Sequence, residues 1–97
     1  MEQILKLNEN GSILGLRELA KGLSFQLRDA ISKRTPIILD FADVETVSSS
    51  FADELIAKVF VDVGGDVFLQ HVKIRNANDF VKTIINSSIN ERLQEQK

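Results

Sequence analysis

The chain has no cysteine, a single histidine and a single proline among its 97 residues. Without cysteine there is no disulfide, no thiolate metal site and no cysteine nucleophile. One histidine, His71, excludes any site that needs two from the same chain. Long hydrophobic runs are missing as well. No window approaches the roughly 20 apolar residues of a membrane-spanning helix. The opening MEQILKLNENG lacks a charged-then-apolar leader, so a cytoplasmic protein is the plain expectation. Nor is there a large excess of either charge: 12 Lys and Arg stand against 14 Asp and Glu, a net of -2. That balance argues against a broad electrostatic footprint for nucleic acid. No nucleophile elbow, phosphate-binding glycine loop or metal-ligand spacing is present either. These absences make a metal, a cofactor or an enzyme the weaker expectation.

What is present reads as one soluble globular unit. Hydrophobic residues make up 43% and charged residues 27%, an ordinary composition for a folded domain and not for a disordered one. A chain of this length holds one compact domain, so residues 1–97 are expected to form a single domain. No linker, repeat or low-complexity tract interrupts it.

Gln3 to Asn8 alternates loosely and predicts a strand. Asn10-Gly11 is a two-residue turn signal, because both central positions of a type I′ turn need positive φ. Ser12 to Leu14 would then complete a hairpin, and Gly15 breaks the pattern. From Leu16 the period becomes helical: Leu16, Leu19, Ala20, Leu23, Leu27 and Ile31 share a face. Gly22 sits inside that helix, where close packing against a sheet would explain it. Pro36 ends the helix by about Arg34.

Ile37 to Phe41 is a short continuous apolar run, the pattern of a strand buried on both faces of a parallel sheet. A connection, Ala42 to Val47, leads to a helix expected to open at Ser50, with Asp53 completing a capping box. Gly64-Gly65 would stop it. Val72 to Arg75 reads as a strand, and Val67 to Leu69 as another strand, an extension of the same one, or a turn that packs Phe68 inward. Asn76 or Asn78 would cap a last amphipathic helix carrying Phe80, Val81, Ile84, Ile85, Ile89 and Leu93, frayed from Gln94. Helices between buried strands predict a small α/β sandwich, with a four- to five-stranded mostly parallel or mixed sheet and about three helices.

The segment from Pro36 to Leu55 carries the candidate site. It sets Ser48, Ser49 and Ser50 at a helix start beside the carboxyl end of a buried strand, where open α/β sheets tend to bind ligands. The plain reading is that Ser50 caps the helix while Ser48 and Ser49 satisfy loop backbone. The functional reading is a phosphoacceptor or anion contact at Ser49 or Ser50, with Asp53 and Glu54 opposing added negative charge. Asp40 is better explained as an acceptor for backbone N–H groups than as a ligand contact. Asp43 and Glu45 define no magnesium cage. Asn76 and Asn78 follow a strand expected to end near the serines and could line the same face, though turn and capping duty is the stronger explanation. Lone His71 reads as structural or solvated, and Arg17 and Arg92 as charges on separate helices that would reach acidic partners.

From Ile37 to Leu55 the residues resemble the anti-sigma factor antagonist, or STAS, superfamily: an apolar strand ending Leu39-Asp40-Phe41, a connection, then serines opening a helix. More closely, the chain looks like a short STAS-like family of unknown function. Its hallmarks are Leu14-Gly15-Leu16-Arg17, Val47-Ser48-Ser49-Ser50-Phe51-Ala52-Asp53-Glu54, Val72-Lys73-Ile74-Arg75-Asn76 and Ile89-Asn90-Glu91-Arg92. The resemblance implies a regulatory, non-enzymatic protein of a bacterial-type cytoplasm. Its partner would be a protein kinase of the histidine-kinase-like ATPase type, released when a serine at the helix start is phosphorylated. The pattern of aspartate, two serines and glycine falls on Ser48, Ser49, Ser50 and Phe51. The aspartate slot therefore holds serine, and the glycine slot holds a bulky Phe51 that would obstruct such a kinase unless it anchors in the core or at the interface.

The expected working surface comprises Asp40, Asp43, Ser48, Ser49, Ser50, Phe51, Asp53 and Asn76, with Ser49 and Ser50 the candidate phosphoacceptors. Two other readings stand beside protein binding. One is a nucleotide- or small-anion-binding domain using the serine loop as its cradle. The other is a structural subunit that forms a homodimer through a helical face or open sheet edge.

Overall fold

The computed structural model describes residues 1–95. It places β1 (Gln3–Lys6), β2 (Ile13–Leu14), α1 (Arg17–Ser32), β3 (Ile37–Asp40) and β4 (Thr46–Val47) in that order. A helical rod follows, made of α2 (Ser49–Ala52), a π-helical turn (Asp53–Ala57) and α3 (Lys58–Val63). The chain ends with α4 (Gly65–His71), β5 (Val72–Arg75) and α5 (Asp79–Glu95).

β3 is the centre of the fold. It pairs in parallel with β1 on one side and β5 on the other, aligning Ile4, Ile38 and Lys73. Ile37, Ile38 and Leu39 are no more than 2% exposed, as an uninterrupted apolar strand in a parallel sheet requires. The short β2 and β4 form a separate parallel pair, Ile13 opposite Thr46 and Leu14 opposite Val47. The α/β class is as expected. The single four- to five-stranded sheet is instead a three-stranded sheet and a two-stranded one. Counting the rod once, four helices replace the expected three.

The predicted hairpin does not form. Leu7–Asn10 curls into a 3-10 turn that buries Leu7 completely, and Gly11 donates to the Asn8 carbonyl at 3.0 Å. Of the two turn residues only Gly11 takes a positive φ, of 117°. The pairing edges of β1 and β2 are taken by β3 and β4, so long-range pairing and burial of Leu7 override the local turn signal.

α1 buries Ala20, Leu23, Leu27 and Ile31, but Leu16 stands outside it as the N-cap residue and is 73% exposed. Gly22 faces open space, with no atom within 4 Å of where a Cβ would be. The expected packing of that glycine against the sheet is therefore absent. The helix ends in a Schellman arrangement: Thr35 N–H donates to the Ala30 carbonyl and Arg34 N–H to the Ile31 carbonyl, at 2.9 and 3.0 Å. Arg34 occupies the left-handed position usual for glycine.

Gly64, at φ 94°, breaks the rod as predicted, but the chain then turns into α4 and forms no strand at Val67 to Leu69. Val67 and Leu69 exposed with Phe68 buried would suit a strand equally, but the backbone bonds are helical, Phe68 N–H donating to the Gly64 carbonyl at 3.0 Å, and the Phe68 ring lies 5.3 Å from that of Phe60. α5 is capped by Asn78, whose Oδ1 accepts from Val81 N–H at 2.8 Å. The core stripe of α5 is Val81, Ile85 and Ser88, leaving Phe80 and Leu93 exposed. The helix continues through Glu95, past the expected fray point at Gln94. The last two residues of that expectation lie outside the described residues.

Candidate functional site

Val47 enters the core from β4 and Phe51 enters it one turn later, which fixes how the intervening serines face. Ser48 is the N-cap, not Ser50. Its Oγ accepts from Phe51 N–H at 3.0 Å and donates to the Gly15 carbonyl at 2.8 Å. The capping hydroxyl thus also ties the rod to the start of α1. Ser50 lies within the first turn, too late to cap it. Ser48→Ala should cost ~1–2 kcal/mol in chemical denaturation, and Ser50→Ala almost nothing. Equal losses at both positions would contradict this assignment.

Ser49 and Ser50 are exposed and line a groove of about 310 Å³ together with Arg17, Asp53, Ser88, Glu91, Arg92 and Glu95. Three helices therefore meet there: α1 through Arg17, the rod through its serines and Asp53, and α5 through the rest. Asp53 is the joint. Arg92 reaches it with Nε at 2.6 Å and a terminal nitrogen at 2.8 Å, and Arg17 adds a bond of 3.0 Å. Arg17 also donates to Glu54 at 2.8 Å, and Lys58 approaches Glu54 at 3.2 Å.

The charges respond accordingly. Arg92 first, and then Arg17, hold the Asp53 carboxyl below the ordinary carboxylate range, against the opposing effect of burial. At Glu54 burial pushes the carboxyl up, but Arg17 and Lys58 together outweigh it and leave it low. Both guanidiniums are raised in turn, Arg92 chiefly by Asp53 and Arg17 chiefly by Glu54.

The π-helical turn begins at Asp53. Such turns insert an extra residue into a helix and recur at functional sites. Here the turn lets Asp53 face the groove while Leu55, Ile56 and Val59 enter the core.

The remaining expected site residues are not brought to this groove. Asp40 accepts from Ala42 N–H and from Asn76 Nδ2, each at 2.9 Å. The bond from Asn76 and then that from Ala42 hold its carboxyl low. This is the backbone-acceptor role foreseen for it, and Asn76 serves the same joint from a left-handed conformation, φ 61°. Asp43, also left-handed at φ 63°, is exposed on the β3–β4 loop. Phe51 is 1% exposed and belongs to the core, so it cannot be an interface anchor. His71 donates from Nδ1 to the Val67 carbonyl at 2.9 Å.

Sequence reasoning missed the meeting of Arg17 and Arg92 on one carboxylate, and missed Ser88 altogether. The signal for Ser88 was available: it lies seven residues after Val81, on the apolar stripe of α5, where a serine is out of place. Asn78 was foreseen as a cap but does more, donating to the Val44 and Glu45 carbonyls at 3.3 and 3.0 Å. It thereby fixes α5 to the loop leading into the serines.

The sequence profile of the family described as STAS-like domain of unknown function (DUF4325) matches residues 25–82, more than half of the chain. The chain belongs to that family. The matched segment holds β3, the serines, the rod, α4 and β5, so the STAS-like frame includes Ser49, Ser50 and Asp53. Arg17, Ser88 and Arg92 lie outside the matched segment of this STAS-like domain. Neither the curated proteins nor the solved structures give a match to it. No helix among the described residues is long and apolar enough to cross a membrane.

Proposed function

We propose that this STAS-like domain is a non-enzymatic regulatory module that binds a partner protein through the start of α2 in a bacterial-type cytoplasm. The observation that carries the reading is the position of Ser49 and Ser50. Both are exposed at the first turn of the rod, on a groove walled by charged side chains from α1 and α5. A partner seated there contacts three helices at once, and a phosphate on either serine adds about -1.5 to -2 charge at the centre of the contact. Ser49 and Ser50 are the phosphoacceptors in this reading. By family resemblance, the partner is a histidine-kinase-like ATPase or another switch protein.

Nucleotide or anion cradling is less favoured by the same geometry. Arg17 and Arg92 are engaged with carboxylates, and Glu91 and Glu95 stand on the groove wall. A phosphate-bearing ligand would have to displace Asp53 and approach two further acids.

The test is quantitative affinity capture with the wild-type chain, a Ser49→Ala/Ser50→Ala double variant that removes both hydroxyls, and Ile4→Asp on the far strand. Circular dichroism and light scattering establish fold and oligomeric state for each. The expected result is a protein held by the wild type and by Ile4→Asp, and held at least about tenfold more weakly by the double variant. Capture of no specific partner, or capture indifferent to the serines, rejects the proposal. Thermal stabilisation by a nucleotide would favour the anion reading instead.

A further inference from the structure

The two arginines of the groove are already committed, and that decides what the groove can still accept. Arg92 gives two bonds to Asp53, while Arg17 divides its donors between Asp53 and Glu54. What remains open is rich in acceptors. Ser49 and Ser50 are exposed, and their hydroxyls join none of the side-chain hydrogen bonds among the described residues. Glu91 is exposed on the same wall and forms no ion pair among those residues.

Ser88 adds an independent observation. It is only 5% exposed, and its hydroxyl has no hydrogen-bond partner among the described residues. Yet no fully enclosed side-chain polar atom among them lacks a partner. The Ser88 hydroxyl must therefore open onto the groove that the residue lines. A serine on the apolar stripe of a helix, aimed unpaired into a polar groove, lacks the partner that buried hydroxyls ordinarily find. Charge points the same way: Arg17 and Arg92 stand against Asp53, Glu91 and Glu95, two positive groups against three negative ones.

From these features we infer that the groove receives a basic side chain, arginine or lysine, from the partner protein. Its ammonium or guanidinium donates to the serine hydroxyls and to Glu91, and leaves the Arg17–Asp53–Arg92 joint intact. This rests on the protein-binding reading above and adds the chemistry of the contact. Arginine is the better geometric match to several acceptors spread over two helices, because its planar fork presents five donors.

Capped single residues test the groove without any partner. The probes are N-acetyl-arginine amide and N-acetyl-lysine amide, with N-acetyl-norleucine amide as the uncharged control and inorganic phosphate as the competing chemistry. Amide chemical shifts of the labelled protein report the site. The expected result is a saturable shift centred on Ser49, Ser50, Ser88 and Glu91, with a dissociation constant on the order of 10 mM for one capped side chain. Glu91→Gln weakens it by about threefold, and Glu2→Gln leaves it unchanged. Saturable binding of phosphate at these amides without binding of the basic probes overturns the inference, as does the absence of any saturable shift there. If capture identifies a serine-dependent partner while the basic probes fail, this inference falls and the binding role stands. If the probes bind and no partner is captured, the groove's preference for a basic group stands, but the binding role and the assignment of that group to a partner protein both fall.

Discussion

Phe51→Ala should unfold the protein or bring it close to unfolding. The side chain is 1% exposed and belongs to the same core cluster as Val47, Leu55 and Val81. Deleting a buried phenyl ring costs ~3–5 kcal/mol once the cavity is included. A domain of this size loses ~4–8 °C of melting temperature per kcal/mol, so the drop should exceed about 12 °C. Phe51→Leu, which keeps most of the volume, should lose less than half as much. A melting temperature within a few degrees of wild type for the alanine variant would mean that Phe51 is not a core residue. In that case a surface role for it would return.

The second large effect is linked to pH. Asp53 is held below its ordinary range by Arg92 and then Arg17, so its carboxylate form is favoured in the folded state. A depressed folded pKa contributes stability that is fully present above the unfolded value of about 3.9 and is lost as pH falls through the folded one. Stability should therefore be flat from neutrality to about pH 5 and decline below about pH 4. Asp53→Ala should cost ~1–2 kcal/mol at neutral pH. That range is discounted for solvent, because the Arg17 side chain is 45% exposed and that of Arg92 31%. The cost should shrink towards zero on acidification, and Asp53→Asn should show a shallower acid decline than wild type. Denaturant titrations at neutral and acid pH measure both. Parallel declines in wild type and Asp53→Asn would mean that the joint contributes nothing to folding.

How legible all this was in the sequence depends on the range of the interaction. β3 was legible because an apolar run this short, set off by Pro36, fits a strand covered on both sides better than a helix. The rod was legible from its core face and from Gly64. The hairpin at Asn10-Gly11 failed because local turn chemistry was outweighed by parallel pairing to strands more than 30 residues away. α4 was missed because Phe68 alone is buried, and one buried aromatic has no period. At the site, the serines were found by their position after the strand. The cap was shifted from Ser48 to Ser50, since three consecutive serines cannot be told apart without knowing that Gly15 lies opposite the first. Asp40 was read correctly from its place at a strand end. The joint at Asp53 was beyond reach, because nothing in the spacing of Arg17, Asp53 and Arg92 reveals that their helices converge.

The π-helical turn has a bearing on any attempt to redesign this rod. A regular helix advances ~100° per residue and the wider π turn advances less, so forcing Asp53 to Ala57 into regular α geometry without deleting a residue would rotate everything upstream relative to Val59. Val59 could keep its place inside, but Ser49, Ser50 and Asp53 would then point away from α5. An idealised rod would fold around the same interior and present a different side to the world.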